Sequence, residues 1–534
     1  MAELSQLTQR LIQQYQNWSQ SLHPKEGIPT IHVDEVASSV ASFYEKIRGI
    51  IEWREEHLLR ETAIERILKR RLILKKREEK IAEPFILELI RGGHFPNNTI
   101  PEVKIEEIQK IIDKYAFILK NSNNKEQEKQ KTQLLNWILG IAACEIEATL
   151  APPIKEKALI DYMTEFMKER IKIKEGIFVI GGITEEQKNT QIYIACQRSL
   201  FKLDDSLIRY HLLNKKYSDW SNLSSPRLQE ISENILNIHK SIEGDLQHPW
   251  GERIYNICER HDTSYLILGD IIAMNPSEAQ KKLENPSVLE NLIKETYGKR
   301  VIKLREKLNR AALYSTISIF ITKIVSALAV EIPFDIYITQ AFSYQTLGIN
   351  IIFPPFLMFV LVKTIRPPKK GNLQKVIMEV IKITYETKKK DVYVAKKPAK
   401  RGIILNSIII FFYLLGFLGS FGIIIWGLQR LNFGILSMTI FLLFLTMISY
   451  TGIKIRQRAK ELIIQEEQET FLGMIFDFFS LPIIRVGRWI SSQWQKHNAV
   501  IIIFNSLIDM PFQLFIEFLE QWRYFLKEKK DEIH

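Results

Sequence analysis

The chain has 534 residues, of which 46% are hydrophobic, with a net charge of +12 and only three cysteines. That length exceeds one ordinary hydrophobic core, so more than one structural unit is expected. Cys144, Cys196 and Cys258 exclude a disulfide-framed scaffold, because one thiol is always left over, and they fit a reducing compartment.

Averaging hides a division: the mean hydropathy of −0.06 combines a charged part up to about Arg310 with later apolar runs of membrane length. The first residues, "MAELSQLTQRLIQQYQNW", contain no apolar core of the kind that makes a signal peptide, so this part is expected to stay in the cytoplasm. Residues 1–150 read as a helical cytosolic region. Val33, Val36, Val40, Phe43, Ile47 and Ile50 step by three and four like a coiled-coil seam, and the pattern stops at Arg54. "REEHLLRETAIERILKRRLILKKREEK" is a solvated helix face, and "RGGHFPNNTIP" is a loop.

Pro152-Pro153 closes one helix and opens a second helical region, 151–310. Within it Gly181-Gly182 marks a turn, and Thr184 with Gln187 forms a capping box for the next helix. The glycine pair is not a phosphate loop, since neither GxGxxG nor GK[ST] is present. Asp205 and Arg209, four apart on one helix, are expected to form a surface ion pair.

His239, His248, Cys258 and His261 fall close together but match no zinc-ligand spacing. GxSxG, HExxH and P-loop patterns are absent. No catalytic residue, metal or cofactor is therefore assigned.

The membrane-length runs follow. A first, weaker hairpin covers 311–363. Its opening span, Ala311 to Val330, contains Lys323. Its second, Tyr344 to Val362, contains Asn350 and the pair Pro354-Pro355, where a kink or break is expected. A second hairpin covers 402–453: Gly402 to Leu428 and Leu431 to Ile453 each hold no charged residue. About 20 apolar residues suffice to cross roughly 30 Å of hydrocarbon. Gly416, Gly419, Ser420 and Gly422 give the third span a small-residue face for close helix packing, with the fourth span as its nearest partner.

Charge sets an orientation. "GKRVIKLREKLNR" precedes the first span and "KIRQRAK" follows the fourth. Between the hairpins, a loop at 364–401 with its flanking Lys363 carries thirteen basic residues against three acidic ones. "EIPFDIYITQAFSYQ", between the first two spans, has none that are basic. Four spans place every basic segment on one side, which the positive-inside rule makes the cytoplasm.

The remainder, 454–534, reads as an amphipathic interfacial tail. Trp489, Trp494 and Trp522 lie beside Arg and Lys, as at a membrane interface. Together these features describe an all-α, multi-pass protein of the plasma or inner membrane, with both termini cytoplasmic. Its expected partners are the bilayer, anionic headgroups at the 363–401 loop, and a protein bound by the N-terminal region; nucleic acid is not expected. The leading functional expectation is a membrane anchor and scaffold. The alternative is a transporter or channel component using Lys323, Asn350 and Pro354-Pro355.

Overall fold

The computed structural model describes residues 3–21, 27, 29–34, 39, 56–74, 80–122, 128–173, 183–339, 343–363, 370–385, 391–395, 403–459 and 471–496, with scattered positions from 515 to 529. These are predominantly helical. In chain order the helices are α1 (Gln6–Ser21), α2 (Glu56–Leu74), α3 (Ala82–Arg91), α4 (Lys104–Asn121), α5 (Glu128–Leu150), α6 (Ile154–Arg170), α7 (Glu185–Phe201), α8 (Asp205–Lys216) and α9 (Ser225–Leu246). They continue with α10 (Gly251–Glu259), α11 (Asp262–Met274), α12 (Ala279–Leu283), α13 (Pro286–Ser326), α14 (Tyr344–Lys363), α15 (Lys370–Thr384), α16 (Ile403–Arg430), α17 (Ile435–Ala459) and α18 (Phe471–Lys496). The chain divides into two compact units: Met1–Leu289 with Val380–Pro398 and Phe504–His534, and Glu290–Glu379 with Ala399–Ile503.

The first unit is built around α5. Ile138, Leu139, Ile141, Ala142, Ala143, Cys144 and Ile146 are all buried, as befits a helix apolar on every side. It packs against α2, α4 and α8. Its small residues allow close approach: a side chain at Gly140 would come within 3.1 Å of Ser206. One buried charge pair crosses this core. Lys114 Nζ donates to both Glu145 carboxylate oxygens at 2.6 and 2.7 Å and to the Trp220 carbonyl at 2.9 Å. Tyr115 donates to the same carboxylate, and Trp220 Nε1 donates to the Tyr115 hydroxyl. Each charged group thus meets several partners, which offsets the desolvation of burying them.

Local signals explain the helix ends. The proline pair 152–153 sits between the end of α5 and the start of α6. Thr184 accepts from the Gln187 amide at 3.1 Å and Gln187 Oε1 accepts from the Thr184 amide at 3.0 Å, closing the capping box. The expected Gly181-Gly182 turn and almost all of the Val33–Ile50 seam lie outside the described residues. Asp205 and Arg209 do not pair with each other. Asp205 takes Arg198 at 2.8 Å and Arg209 takes Glu243 at 2.6 Å, because neighbouring helices offer closer partners than the same helix face.

The segment read as a basic loop contributes structure to this unit. β2 (Tyr393–Ala395) pairs in parallel with β1 (Ile171–Ile173), Ile171 opposite Tyr393. The end of α15 is tied to the N-terminus: Ser5 N donates to the Thr384 carbonyl at 3.1 Å, Thr8 Oγ1 to the same carbonyl at 3.0 Å, and Tyr162 to the Ile383 carbonyl at 2.7 Å. In the tail, Arg523 pairs with Asp34 at 3.0 Å. Most of the tail beyond 496 lies outside the described residues.

Among the described residues four helices are long and apolar enough to cross a membrane, Pro286–Ile338, Tyr344–Lys363, Ile404–Arg430 and Ile435–Arg456, and from Glu290 on they belong to the second unit. They cover the four runs singled out by hydropathy. Met358 and Val362 of α14 pack with Ile448 and Ile455 of α17, and with Leu308, Ala312 and Ile319 of α13. The α16–α17 turn is fixed by Asn432, which adopts a positive φ of 56°, and by the Phe433 amide donating back to the Leu428 carbonyl. This is the left-handed stop common at helix C-termini.

Candidate functional site

Lys323 is the reason to look inside the second unit. Hydropathy alone leaves it a charge in apolar surroundings, with no acid in the other three spans. The fold supplies the acid from the same helical run. α13 does not stop at Val330 but continues through a wide π turn, Ala327–Glu331, a short α turn, Ile332–Phe334, and a second π turn, Asp335–Thr339. The expected loop starting at Glu331 is therefore helical to Thr339. Pro333 gives the physical reason. It has no N–H to return to the Ala329 carbonyl, and the register loosens there: the Ile332 amide bonds to Ala327, five residues back. Single π turns of this kind concentrate at functional sites.

The consequence is a sealed polar cluster. Lys323 Nζ donates to Glu331 Oε1 at 2.5 Å, and the side chains are 0% and 1% exposed. Asn350, on α14, donates its amide nitrogen to Glu331 Oε2. Lys323 Nζ also lies 4.9 Å from the centre of the Phe444 ring on α17, at cation–π range. Three helical segments thus converge on one ion pair. The Glu331 partner fixes which end of the Asn350 amide is nitrogen, since its oxygen would repel a carboxylate. That leaves Asn350 Oδ1 buried without a hydrogen-bond partner.

Pro354 and Pro355 belong to the same stripe. Of the kink or break expected there, the break is absent: α14 is continuous from Tyr344 to Lys363 with both prolines inside it and buried. The helix persists because its flanks are packed, on α17 above all. The prolines still act electronically: Pro354 has no N–H for the carbonyl of Asn350, nor Pro355 for that of Ile351. Two acceptors on α14 are released within one turn of the orphaned Asn350 side chain.

The small-residue face of α16 meets a partner that sequence reasoning missed. Instead of α17, it receives α18. Added side chains at Gly416 and Gly419 would come within 3.1 Å of Phe478 and Phe479. Ser420 Oγ bonds to the Phe479 carbonyl at 2.7 Å. No neighbouring atom lies close to Gly422. α18 also packs on α17, so tightly that a side chain at Gly487 would collide with the Thr446 carbonyl oxygen. These contacts fall at the middle of α16 and of α17, so part of the tail expected at an interface is a packing element of this unit. On α18, Arg485 sits 5.1 Å from the Tyr413 ring and Trp489 is exposed. Trp494 is on the same helix, its side chain outside the described residues. Trp522 is exposed and its ring stacks on Phe518.

The histidines and cysteines considered for a metal diverge. His239 meets Trp137 edge-on, His261 lies 4.4 Å from the Tyr393 ring, and Cys258 faces Cys196 with sulfurs 4.0 Å apart. Among the described residues no group of three or more His, Cys, Asp or Glu side chains converges as a metal set would. Compared with protein-family models, with curated proteins and with solved structures, the chain shows no match.

Proposed function

We propose that the chain is a multi-pass integral membrane scaffold, resident in the plasma or inner membrane, whose N-terminal helical domain holds a protein partner at the cytoplasmic surface. The observation that carries the membrane assignment is α16. It has no charged residue before Arg430, and only 11% of its most apolar window is buried by protein. Ile404, Leu418, Ile423 and Trp426 face outward. In water such a face would far exceed the few hundred Å² of apolar patch that monomeric proteins tolerate; in hydrocarbon it costs nothing.

The four-span orientation has support within the second unit. Gly434, in the α16–α17 turn, lies close to Asp335 at the end of the first span: a β-carbon added to Gly434 would sit 3.8 Å from Asp335 Oδ1. The opposite ends, at Leu308, Val362 and Ile455, cluster with each other. This arrangement supports a reading in which the basic connectors share one end, with Arg430 the one basic residue in the turns at the other, and both termini are cytoplasmic. Anionic headgroups would meet the basic residues flanking α15.

The scaffold assignment rests on the first unit: a fully packed helical core under a charged surface. Chemical cross-linking of the full-length chain in native membranes, read by mass spectrometry, tests it. A specific partner cross-linked to residues of Met1–Leu289 is the expected result; lipid adducts alone would overturn it. The Lys323–Glu331–Asn350 cluster favours a second reading, a transport or channel component, tested by flux in liposomes across a panel of ions and small solutes.

A further inference from the structure

We propose that Glu331, Asn350 and the backbone carbonyls released by Pro354 and Pro355 form a binding site for a monovalent alkali cation, which Lys323 occupies as a tethered competitor. The inference rests on the membrane assignment of the second unit and goes beyond it to a ligand.

The donor set points to the class of ion. All candidate ligands are hard oxygens: two carboxylate oxygens of Glu331, Asn350 Oδ1, and the Asn350 and Ile351 carbonyls. Such ligands suit alkali and alkaline-earth ions rather than transition metals. Asn350 Oδ1 is buried and unpartnered, although its amide nitrogen is already committed to Glu331. The orphan acceptor therefore sits beside the carboxylate, attached to the same side chain that contacts it. An unpaired buried acceptor is destabilising in a protein interior; a cation at this point would satisfy it together with the carboxylate.

Charge selects the valence. Glu331 and Lys323 are sealed, 1% and 0% exposed, in a low-dielectric region where net charge is expensive. One carboxylate balances one positive charge. An alkali cation in place of the ammonium keeps the site neutral, whereas a divalent ion would leave it with an excess positive charge. The ammonium itself is the precedent: it is a monovalent cation held on Glu331 Oε1, with the Phe444 ring completing its surroundings. Removing the lysine side chain leaves the same anionic oxygen set with room beside it.

Helix geometry points the same way. The π turn at Ala327–Glu331 swings Glu331 onto the Lys323 side, and the proline pair strips two amide donors from the facing helix at Asn350 and Ile351. The first departure brings Glu331 to Lys323, and the second frees acceptors on the helix whose Asn350 side chain contacts that carboxylate. Irregular helical backbone at membrane depth is tolerated where it is buried or lines a site.

The test uses the full-length chain in mild detergent and compares unfolding midpoints in sodium, lithium, potassium and choline chloride at equal ionic strength. For Lys323→Ala, the midpoint should rise by several degrees in at least one alkali salt over choline, and the rise should saturate with salt. In Lys323→Ala/Glu331→Gln the difference between salts should vanish. Where Lys323→Ala does not fold in choline, its recovery as a folded, monodisperse species in an alkali salt is the expected result, and failure in every salt overturns the proposal. Equal midpoints for Lys323→Ala in all four salts also overturn it, as does a salt preference that survives Glu331→Gln. A wild-type chain that remains monodisperse without detergent would instead defeat the membrane assignment, which is a separate result from any salt effect.

Discussion

Removing the Lys323 ammonium while leaving Glu331 charged strands a carboxylate that is 1% exposed. Breaking a buried pair by deleting one partner costs about 3–5 kcal/mol, whereas replacing both with apolar side chains of similar volume is often neutral or stabilising. Lys323→Met and Glu331→Leu should therefore each destabilise the chain by about 3–5 kcal/mol. Glu331→Leu should lie at the upper end, because it frees both the ammonium and the Asn350 amide. The double variant should return to within about 1–3 kcal/mol of wild type, the remainder being the Asn350 amide left without its carboxylate, and the coupling should still be several kcal/mol, well above the ~0.5 kcal/mol scatter of independent sites. The assay is unfolding of the detergent-solubilised chain by titration with dodecyl sulfate, followed by circular dichroism. It is run in choline chloride so that no alkali ion replaces the lysine. Additive effects, with the double variant as unstable as the two singles summed, would refute the view that these charges stabilise each other.

Gly487→Val should separate α18 from α17, because any side chain there meets the Thr446 carbonyl; the change should lower the unfolding midpoint, whereas Gly422→Ala, with open space beside it, should not. Glu61 is buried and its carboxyl is pushed up to about 8, first by burial and then by Asp204. The folded chain thus holds a proton there that the unfolded chain loses near pH 4.5, so this contribution to stability is full at low pH and is lost as pH rises through about 8. Glu61→Gln should flatten the fall in midpoint over that window, and an unchanged slope would count against the assignment. Diamide should join Cys196 to Cys258, whose sulfurs are 4.0 Å apart, and leave Cys144 free; non-reducing peptide mapping reads the link. The hydrogen bond from Cys196 and burial both push the Cys258 thiol up, so the reaction should be slow at neutral pH.

What could be read from the residues alone was what depends on local chemistry. α16 and α17 announce themselves through uncharged runs, and the start of α7 through Thr184 and Gln187. What could not be read depends on distant partners. Glu331 opens the segment between the first two spans, past the end of the apolar run, and nothing local says that a π turn absorbs Pro333. Once the first span is extended beyond Val330, Glu331 is the nearest acid to Lys323, and that spacing was the available signal. The partner of Gly416 and Ser420 was misread because α18 mixes Arg with aromatic residues and resembles a helix lying at an interface. β2 has three residues, too few for a periodic signal, and its pairing with β1 joins segments more than two hundred positions apart. Asp205 and Arg209 show the same limit: correct spacing on one helix, but stronger partners elsewhere.

The cation site requires a chain that crosses the bilayer, and the scaffold requires in addition that its basic connectors lie on the cytoplasmic side. Single cysteines at Gln429 and Arg456, both exposed, in a chain with Cys144, Cys196 and Cys258 changed to Ser, test this in intact cells with a membrane-impermeant thiol reagent. Gln429→Cys should be labelled from outside and Arg456→Cys only after the membrane is opened. Labelling of both in intact cells, or of Arg456→Cys alone, would contradict it.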